Sequence, residues 1–323
     1  MINQWKRHAL RAAAALMLAV GFAAPVQAWP DRPVTLAVPL GPGTSPDIAA
    51  RILAEGLQRR LGRPFLVENR VGATGAIGTR AVINAAPDGH MLLVTSPTLL
   101  LTPLLLPAAG YDPLTQLRPI TLLGSNPLVL VAGSGAPART LPDLVTLARS
   151  RPAGAIDYGS PGGTLHLTMA LMGQQAGIEM NHISFRTGGE LLNALVAGTV
   201  PYAWVTQAMA QPLVTAGRLQ ALAQSSPQRM ADLPTVPSTA EAGLPDLVVD
   251  SWLGLFGPRD LPAPLAAEIA AAVSAALADP IVAERLRANS VGAPQVPASL
   301  PAMLAAETAT WRRLVEAGGL AQR

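Results

Sequence analysis

Very few side chains in this chain of 323 residues could carry nucleophilic, redox or metal chemistry. The chain has no cysteine, which excludes disulfides, thiolate nucleophiles, iron–sulfur clusters and cysteine zinc sites. Lys6 is the only lysine, so the rest of the chain has no Walker A lysine and no lysine Schiff base. His90, His166 and His182 follow the first 28 residues without the spacing of a metal site. We therefore expect no cofactor and no bound metal.

Two glycine-rich segments have a composition that suits anion binding. In Gly41–Pro46 and in Gly159–Thr164, an apolar run is followed by Gly, Pro, Ser and Thr and then by a helical pattern. Unpaired N–H groups at a helix start attract a negative group, and glycine lets that group approach the backbone closely. Either loop alone is better explained as an ordinary turn. A matching loop in each half of the chain favours a ligand cleft, because open α/β sheets bind ligands where their strands end.

Ser160 and His166 leave other interpretations open. A hydrolase or isomerase could use Ser160 as a nucleophile and His166 as its base, although the Gly-x-Ser-x-Gly spacing of a nucleophile elbow is missing. His166 is either a ligand contact facing the cleft or a structural histidine bonded to backbone near a helix start. On the first helix, Asp47 and Arg51 lie four residues apart, so we predict that they pair and that Asp47 complements the helix N-terminus.

Alternating apolar runs and amphipathic stretches predict an α/β fold whose sheets are mainly parallel and flanked by helices. A first block has predicted strands at 34–39, 65–68 and 91–95, with a helix that starts near Ser45 and ends at Gly62. After a proline-rich connection, a second block has predicted strands at 128–132, 155–158, 182–185, 202–205 and 219–223.

The C-terminal third of the chain is predicted to return to the first block. It contains an apolar run at 248–256 and alanine-rich helices at about 264–277 and 301–317. We therefore predict a first domain of residues 29–127 and 249–323 and a second domain of residues 128–248. The chain would cross between these domains twice.

Residues 1–28 have the pattern of a secretory signal. Lys6, Arg7 and Arg11 precede an apolar run, and Val26-Gln27-Ala28 forms a small-x-small cleavage site. The alternative is an uncleaved anchor, but the run at 12–24 would span only about 20 Å of helix against a hydrocarbon core of about 30 Å. We predict cleavage after Ala28 and export from the cytoplasm. Without the leader the chain has 20 arginines and 20 acidic residues, which gives no support to nucleic-acid binding.

Several short motifs run through the mature chain in a fixed order. They are Trp29-Pro30-x-x-Pro33, Pro39-x-x-x-Gly43-x-x-x-Asp47-x-x-x-Arg51, Val67-Glu68-Asn69-Arg70-x-Gly72-Ala73, Pro87-Asp88-Gly89, Tyr111-Asp112-Pro113, Tyr158-Gly159-Ser160, His166-Leu167, Ala216-Gly217-Arg218-Leu219, Leu233-Pro234-Thr235-Val236-Pro237 and Glu241-Ala242-Gly243-Leu244-Pro245. As a set they resemble the substrate-binding proteins of tripartite tricarboxylate transporters, also called the Bug family. The resemblance covers nearly the whole mature chain.

The resemblance implies a periplasmic binding protein of the type II-like kind, whose two domains close on a small carboxylate and catalyse no reaction. It also implies a membrane permease as partner, and a membrane signalling receptor is the alternative; we expect a monomer. The implied ligand-binding positions are Leu40, Gly41, Pro42, Gly43 and Thr44; Ser96, Pro97 and Thr98; Ser160, Pro161, Gly162, Gly163 and Thr164; and Arg186, Thr187 and Gly188. We add His166 and Thr206 to this set. Arg186 is the only cation that we expect near the cleft.

The chain departs from the family pattern at several of these positions. Gly43-Thr44 replaces a usual pair of glycines, and Phe185-Arg186-Thr187-Gly188 stands where the family has Tyr-Lys-Gly or similar. Ala194, Pro201 and either Val205 or Thr206 occupy positions that are often Asp in the family. The loss of acids that could contact an amino or hydroxyl group argues against an amino-acid ligand and favours a less polar carboxylate.

Overall fold

A computed structural model describes residues 29–161, 163–226, 228–230, 232–247, 249, 251–289, 291–294 and 297–318. The predicted signal peptide, Gly162 of the second glycine loop and Val248 at the predicted domain boundary lie outside the described residues. The strands of the described part are β1 (Val34–Val38), β2 (Phe65–Asn69), β3 (Met91–Thr95), β4 (Leu117–Gly124), β5 (Leu128–Ala132), β6 (Asp157–Ser160), β7 (Asn181–Ser184), β8 (Tyr202–Thr206), β9 (Gln220–Gln224) and β10 (Leu253–Pro258).

The helices alternate with these strands as the α/β pattern predicts. They are α1 (Ser45–Leu61), α2 (Ala76–Ile83), α3 (Thr98–Leu105), α4 (Pro113–Gln116), α5 (Leu141–Arg149), α6 (Gly163–Ala176), α7 (Gly188–Ala197), α8 (Gln207–Thr215), α9 (Ala263–Leu277), α10 (Pro280–Ala288) and α11 (Leu300–Gly318). Gly62 ends α1 in the left-handed conformation, as predicted, with φ 68°. The N-cap of α1 is Thr44, so Ser45 takes the first helical position and Pro46 the second.

The strands form two five-stranded sheets. The first has the order β2-β1-β3-β10-β4 and the second has the order β7-β6-β8-β5-β9. Each sheet contains one strand that runs against the others, since β10 is antiparallel to β3 and β4, and β5 is antiparallel to β8 and β9. The predicted two-sheet α/β architecture is confirmed. We call the first sheet with its helices lobe 1 and the second sheet with its helices lobe 2.

The chain passes between the lobes at two crossovers, after β4 and between β9 and β10. The side chain of Ser225 joins them: its hydroxyl accepts a hydrogen bond from the N–H of Leu128 at 3.0 Å and donates one to the carbonyl of Val249. The N–H of Asn126 also donates to the carbonyl of Ser251, at 3.1 Å. The two crossovers are therefore hydrogen-bonded to each other as well as to the sheets.

The C-terminal elements return to lobe 1, and one of them reaches further than predicted. Ile269 and Val273 of α9 are buried in the lobe 1 core together with Leu53 of α1. The last helix, α11, places Leu304 in a lobe 1 cluster, whereas its Trp311 is buried with residues of lobe 2. Helix α11 therefore packs against both lobes, and not against lobe 1 alone.

The proline-rich connection after β3 contains two helices, α3 and α4, and strand β4, which the sequence pattern did not reveal. Pro103 lies inside α3, where it cannot donate to the carbonyl of Leu99, and the hydroxyl of Tyr111 donates to that carbonyl instead at 3.0 Å. Pro119 lies in β4, which is an edge strand and so tolerates a missing donor. Helices α8 and α10 were also not predicted.

Within the described part of the chain, we find no single helix that is both long and apolar enough to cross a membrane. Taken together, α9 and α10 have the length and composition of a membrane span, although they are bent by 76° at the break between them.

Candidate functional site

A cavity of about 1270 Å³ separates the two lobes. Its described walls include the segments that follow β1, β3, β6, β7 and β8, the helices that come next, helix α10 and both crossovers. We call this cavity the cleft. The charged residues among its described walls are Arg186, Arg287 and Asp232, so two cations face one acid. The remaining walls are hydroxyl, amide, glycine and apolar residues.

The first turns of four helices bring unsatisfied backbone donors to the cleft. The first N–H groups of a helix have no acceptor within that helix. Among the described residues, no hydrogen bond to an acceptor outside the helix is found for the N–H of Ser45 in α1, Thr98 in α3, Gly188 and Gly189 in α7, or Ala208 and Met209 in α8. All six residues line the cleft. The positive ends of these helix dipoles therefore converge on one space, which favours a negatively charged occupant.

The first glycine loop is held in shape by Asp47. Its carboxylate accepts hydrogen bonds from the N–H of Gly43 at 2.9 Å, from Nε of Arg51 at 3.1 Å and from Nδ2 of Asn69 at 2.9 Å. Nδ2 of Asn69 also donates to the carbonyl of Leu40 at 3.0 Å. The predicted pair of Asp47 and Arg51 is confirmed, and it belongs to a larger network that fixes both ends of the loop.

This network corrects one expectation about the loop. Gly43 and Thr44 do not offer free N–H groups, because the first donates to Asp47 and the second lies 3.4 Å from the carbonyl of Gly41. Among the described residues of this helix start, the N–H of Ser45 has no acceptor outside the helix, and Ser45 lines the cleft. Burial raises the pKa of the Asp47 carboxyl, but the hydrogen bonds from Arg51, Gly43 and Asn69 outweigh it and hold the pKa below its usual value.

The second glycine loop begins against a cluster of aromatic and imidazole rings. Oγ of Ser160 lies 2.8 Å from Nε2 of His182, and Oη of Tyr158 lies 2.7 Å from Nδ1 of His166. The two imidazole centroids are 4.2 Å apart. The pairing of Ser160 with His166 considered from the sequence is therefore wrong, since His182 is the partner of Ser160. Ser160 is also only 1% exposed and does not line the cleft.

Both imidazoles of this cluster favour the neutral form. Burial, together with the charge of the neighbouring His182, lowers the pKa of His166 to about 4. Burial also lowers the pKa of His182, against the opposing effect of its hydrogen bond to Ser160. Burial raises the pKa of Tyr158 to about 12. The cluster is therefore an uncharged support beneath the second loop.

The structure brings many of the predicted positions to the cleft. Those that line it are Leu40, Gly43, Thr44, Ser96, Thr98, Pro161, Thr164, Arg186, Gly188 and Thr206. Those that do not line it are Gly41, Pro42, Pro97, Ser160, His166 and Thr187. Thr187 is instead the N-cap of α7, where its hydroxyl accepts from the N–H of Glu190 at 3.2 Å.

Several cleft residues were missed by the sequence analysis. Arg287 of α10 is a second cation at the cleft, so Arg186 is not alone there. Asp232 also lines the cleft, where its carboxylate accepts from Nε2 of Gln207 at 3.2 Å. Asn126 of the first crossover and Thr74, which has a positive φ of 53°, complete this set. Only the left-handed Thr74, within a glycine-spaced loop, carried any local signal.

The absence of acidic residues at the positions that are often Asp in the family says less about the ligand than the sequence suggested. Of Ala194, Pro201, Val205 and Thr206, only Thr206 lines the cleft. No group of three or more His, Asp or Glu side chains suited to a metal ion occurs in the part of the chain that the structure describes.

A family model described as "Tripartite tricarboxylate transporter family receptor" matches residues 49–320. The chain belongs to this family. Among curated relatives of the receptor, Protein BugT of Bordetella pertussis (strain Tohama I) is 35% identical over 247 residues, which is 74% of this chain and 75% of BugT.

Solved structures of similar proteins share the fold of this receptor. MatC (Rpa3494) from Rhodopseudomonas palustris with bound malate is 31% identical, with a TM-score of 0.76 over 89% of this chain and 100% of MatC. R. palustris Rpa4515 with adipate is 28% identical, with a TM-score of 0.78 over 90% of this chain and 98% of Rpa4515. The receptor therefore has the periplasmic solute-binding fold of the Bug type.

We predict that Asp47→Ala destabilises the receptor by about 1.5–3 kcal/mol, because three donors lose a charged acceptor. Urea denaturation with and without the substitution measures this change. Asp143→Ala is the matched control, since Asp143 is an exposed acid in the first turn of α5 and its removal should cost only about 0.3–1 kcal/mol. Equal losses in the two variants would contradict a special role for Asp47.

We predict that the receptor loses stability as the pH falls from about 6.5 to about 4, because the unfolded chain binds protons there that His166 in the folded state does not. His166→Gln should reduce the slope of the unfolding free energy against pH in this range. Between pH 7 and 8.5, the difference in stability between the variant and the unmodified protein should not change. Thermal unfolding across both ranges measures the effect. An unchanged slope below pH 6.5 would contradict the neutral imidazole.

Proposed function

We propose that this chain is a periplasmic receptor that captures a small organic carboxylate between its lobes and does not transform it. The observation that carries the proposal is the convergence of unsatisfied first-turn N–H groups from α1, α3, α7 and α8 on the cleft. Each such helix terminus contributes about 0.3–1 kcal/mol when exposed and up to about 2 kcal/mol when partly buried. A carboxylate can thus be held without any lysine.

Two relatives support a carboxylate as the ligand. MatC was solved with malate and Rpa4515 with adipate, and both compounds are aliphatic acids without an amino group. In this chain the acid at the cleft, Asp232, is already bonded to Gln207, and Thr206 offers no charge to an ammonium group. We therefore propose a ligand less polar than an amino acid.

An enzyme that uses Ser160 is the less supported alternative. The hydroxyl is buried and lies outside the cleft walls, so a substrate in the cleft does not meet it. We also propose that the mature protein begins at Trp29 after cleavage, acts as a monomer and delivers its ligand to a permease of the tripartite type. If the partner is instead a signalling receptor, deletion of this protein would abolish a transcriptional response while leaving uptake intact.

We predict that the mature protein binds at least one small carboxylate. Calorimetric titration with di- and tricarboxylates, aromatic acids and acidic amino acids measures this, with thermal unfolding as a second readout. A bound acid should raise the melting temperature and should be recovered unchanged after incubation. Failure of every acid to bind would contradict the proposal, and turnover that disappears in Ser160→Ala would favour the enzyme.

We predict that Arg186→Ala weakens carboxylate binding by about 1.5–3 kcal/mol, because a charge-assisted hydrogen bond to the ligand is lost. The Arg186 side chain is 89% exposed and its ion pair with Glu190 is long, at 3.4 Å, so it is available to a ligand. Arg32→Ala is the control, since Arg32 is also exposed and ion-paired but lies away from the cleft. Unchanged affinity in Arg186→Ala would make it an ordinary surface arginine.

A further inference from the structure

Two oppositely charged residues line the cleft from different lobes. Arg287 lies near the end of α10, and Val282 and Leu286 of the same helix are buried in the lobe 1 core. Asp232 follows β9, and the adjacent Leu233 is buried in the lobe 2 core. Arg287 is therefore fixed to lobe 1 and Asp232 to lobe 2, so a change in the separation of the lobes changes the distance between the two charges.

The Asp232 carboxylate opposes the charge that the helix termini favour in the cleft. Its Oδ2 accepts a hydrogen bond from Nε2 of Gln207 at 3.2 Å, but that amide is neutral. Among the described residues, no ion pair is found for Asp232. A negative charge without a cationic partner repels an anionic ligand in the same space, and the repulsion grows as water is excluded. The cleft therefore holds an acid that works against a carboxylate unless a cation neutralises it.

Arg287 is the cation that the opposite lobe provides. Its Nε and Nη2 donate to the exposed Glu284 at 3.0 Å and 2.8 Å, which leaves Nη1 without a partner among the described residues. The hydrogen bond and charge of Glu284 raise the pKa of the Arg287 guanidinium, and the negative charge of Asp232 acts in the same direction. Arg186 belongs to lobe 2, as Asp232 does, and pairs with Glu190. The attraction between the lobes is thus between Arg287 and Asp232.

The cleft is too large to surround a small carboxylate without a movement of the lobes. Its volume of about 1270 Å³ exceeds the range of about 300–1,000 Å³ that is usual for a small-molecule pocket. For first-turn N–H groups of both lobes to reach one small ligand, the opposite walls have to come closer together. Water then leaves the space between them, and the attraction between opposite charges increases. Closure therefore strengthens the attraction between Arg287 and Asp232.

We propose that Arg287 and Asp232 form an ion pair between the lobes when the cleft closes, and that this pair holds the closed form around the ligand. Both are positioning residues, because they act on the lobes and not on the ligand. The inference rests on the proposed function, since it explains how the same cleft retains its carboxylate. The interlobe ion pair also neutralises Asp232 when the anion is enclosed.

Asp232→Asn separates this inference from simple electrostatics. Removing a negative charge from an anion-binding cleft should by itself tighten carboxylate binding. Loss of the interlobe ion pair should instead weaken it, and we expect malate or adipate to bind about threefold to fivefold less tightly by calorimetry. Asp246→Asn is the matched control at an exposed acid of lobe 2 outside the cleft, and it should change the affinity by less than about twofold. Tighter or unchanged binding in Asp232→Asn would overturn the inference.

Arg287→Gln tests whether the two residues act as a pair. It should weaken the binding of malate or adipate, and Asp232→Asn should cause no further weakening in the Arg287→Gln protein. If Arg287 contacts the ligand directly and Asp232 acts alone, the two substitutions change the affinity independently, and that result would overturn the inference. Both side chains are exposed, so these neutral variants should fold.

A second measurement does not depend on a ligand. The chain has no cysteine, so spin labels can be attached through Ala283→Cys and Thr235→Cys, at exposed sites in the same segments as the two charges. In the ligand-free protein, Asp232→Arg should lengthen the mean distance between the labels because repulsion replaces attraction, and adding Arg287→Asp should restore it. Unchanged distances would overturn the inference. If the distances change as expected but no carboxylate binds, the proposed function fails while the ion pair between the lobes is supported.

Discussion

The central constraint in this structure is that the first N–H groups of an α-helix find no acceptor inside the helix. An α/β fold places helix starts at the ends of its strands, and two lobes that face each other collect these starts in one space. In the part of the chain that the structure describes, four helices bring first-turn N–H groups without acceptors outside the helix to that space. The electrostatics of the cleft therefore follow from backbone geometry more than from charged side chains.

Two groups of side chains without a net negative charge hold the two loops in place. Asp47 is an acid buried behind the first glycine loop, and its carboxylate accepts hydrogen bonds from Arg51, Asn69 and the N–H of Gly43. Beneath the second loop, His166 and His182 stay uncharged and bond Tyr158 and Ser160. Neither support adds a free negative charge to the cleft, which would oppose an anionic ligand.

The sequence was sufficient for the architecture, because apolar periodicity and Gly, Pro and Ser patterns are local signals. It could not reveal α3 or β4, since Pro103 and Pro119 are tolerated only through a tertiary bond from Tyr111 and an edge position. It also could not show that Asp47 accepts a hydrogen bond from the N–H of Gly43, or that Ser160 is hydrogen-bonded to His182 and not to His166. No local sequence pattern marks the segments that contain Asn126, Asp232 and Arg287, and only the folded chain brings these residues to the cleft.

Helix α11 links the lobes without belonging to either crossover. Leu304 packs in a lobe 1 cluster and Trp311 is buried with residues of lobe 2, so the helix connects the two lobes directly. A motion that parted the lobes at this helix would uncover the buried indole of Trp311, which is unfavourable. We therefore expect the lobes to stay in contact through the last helix when the cleft opens.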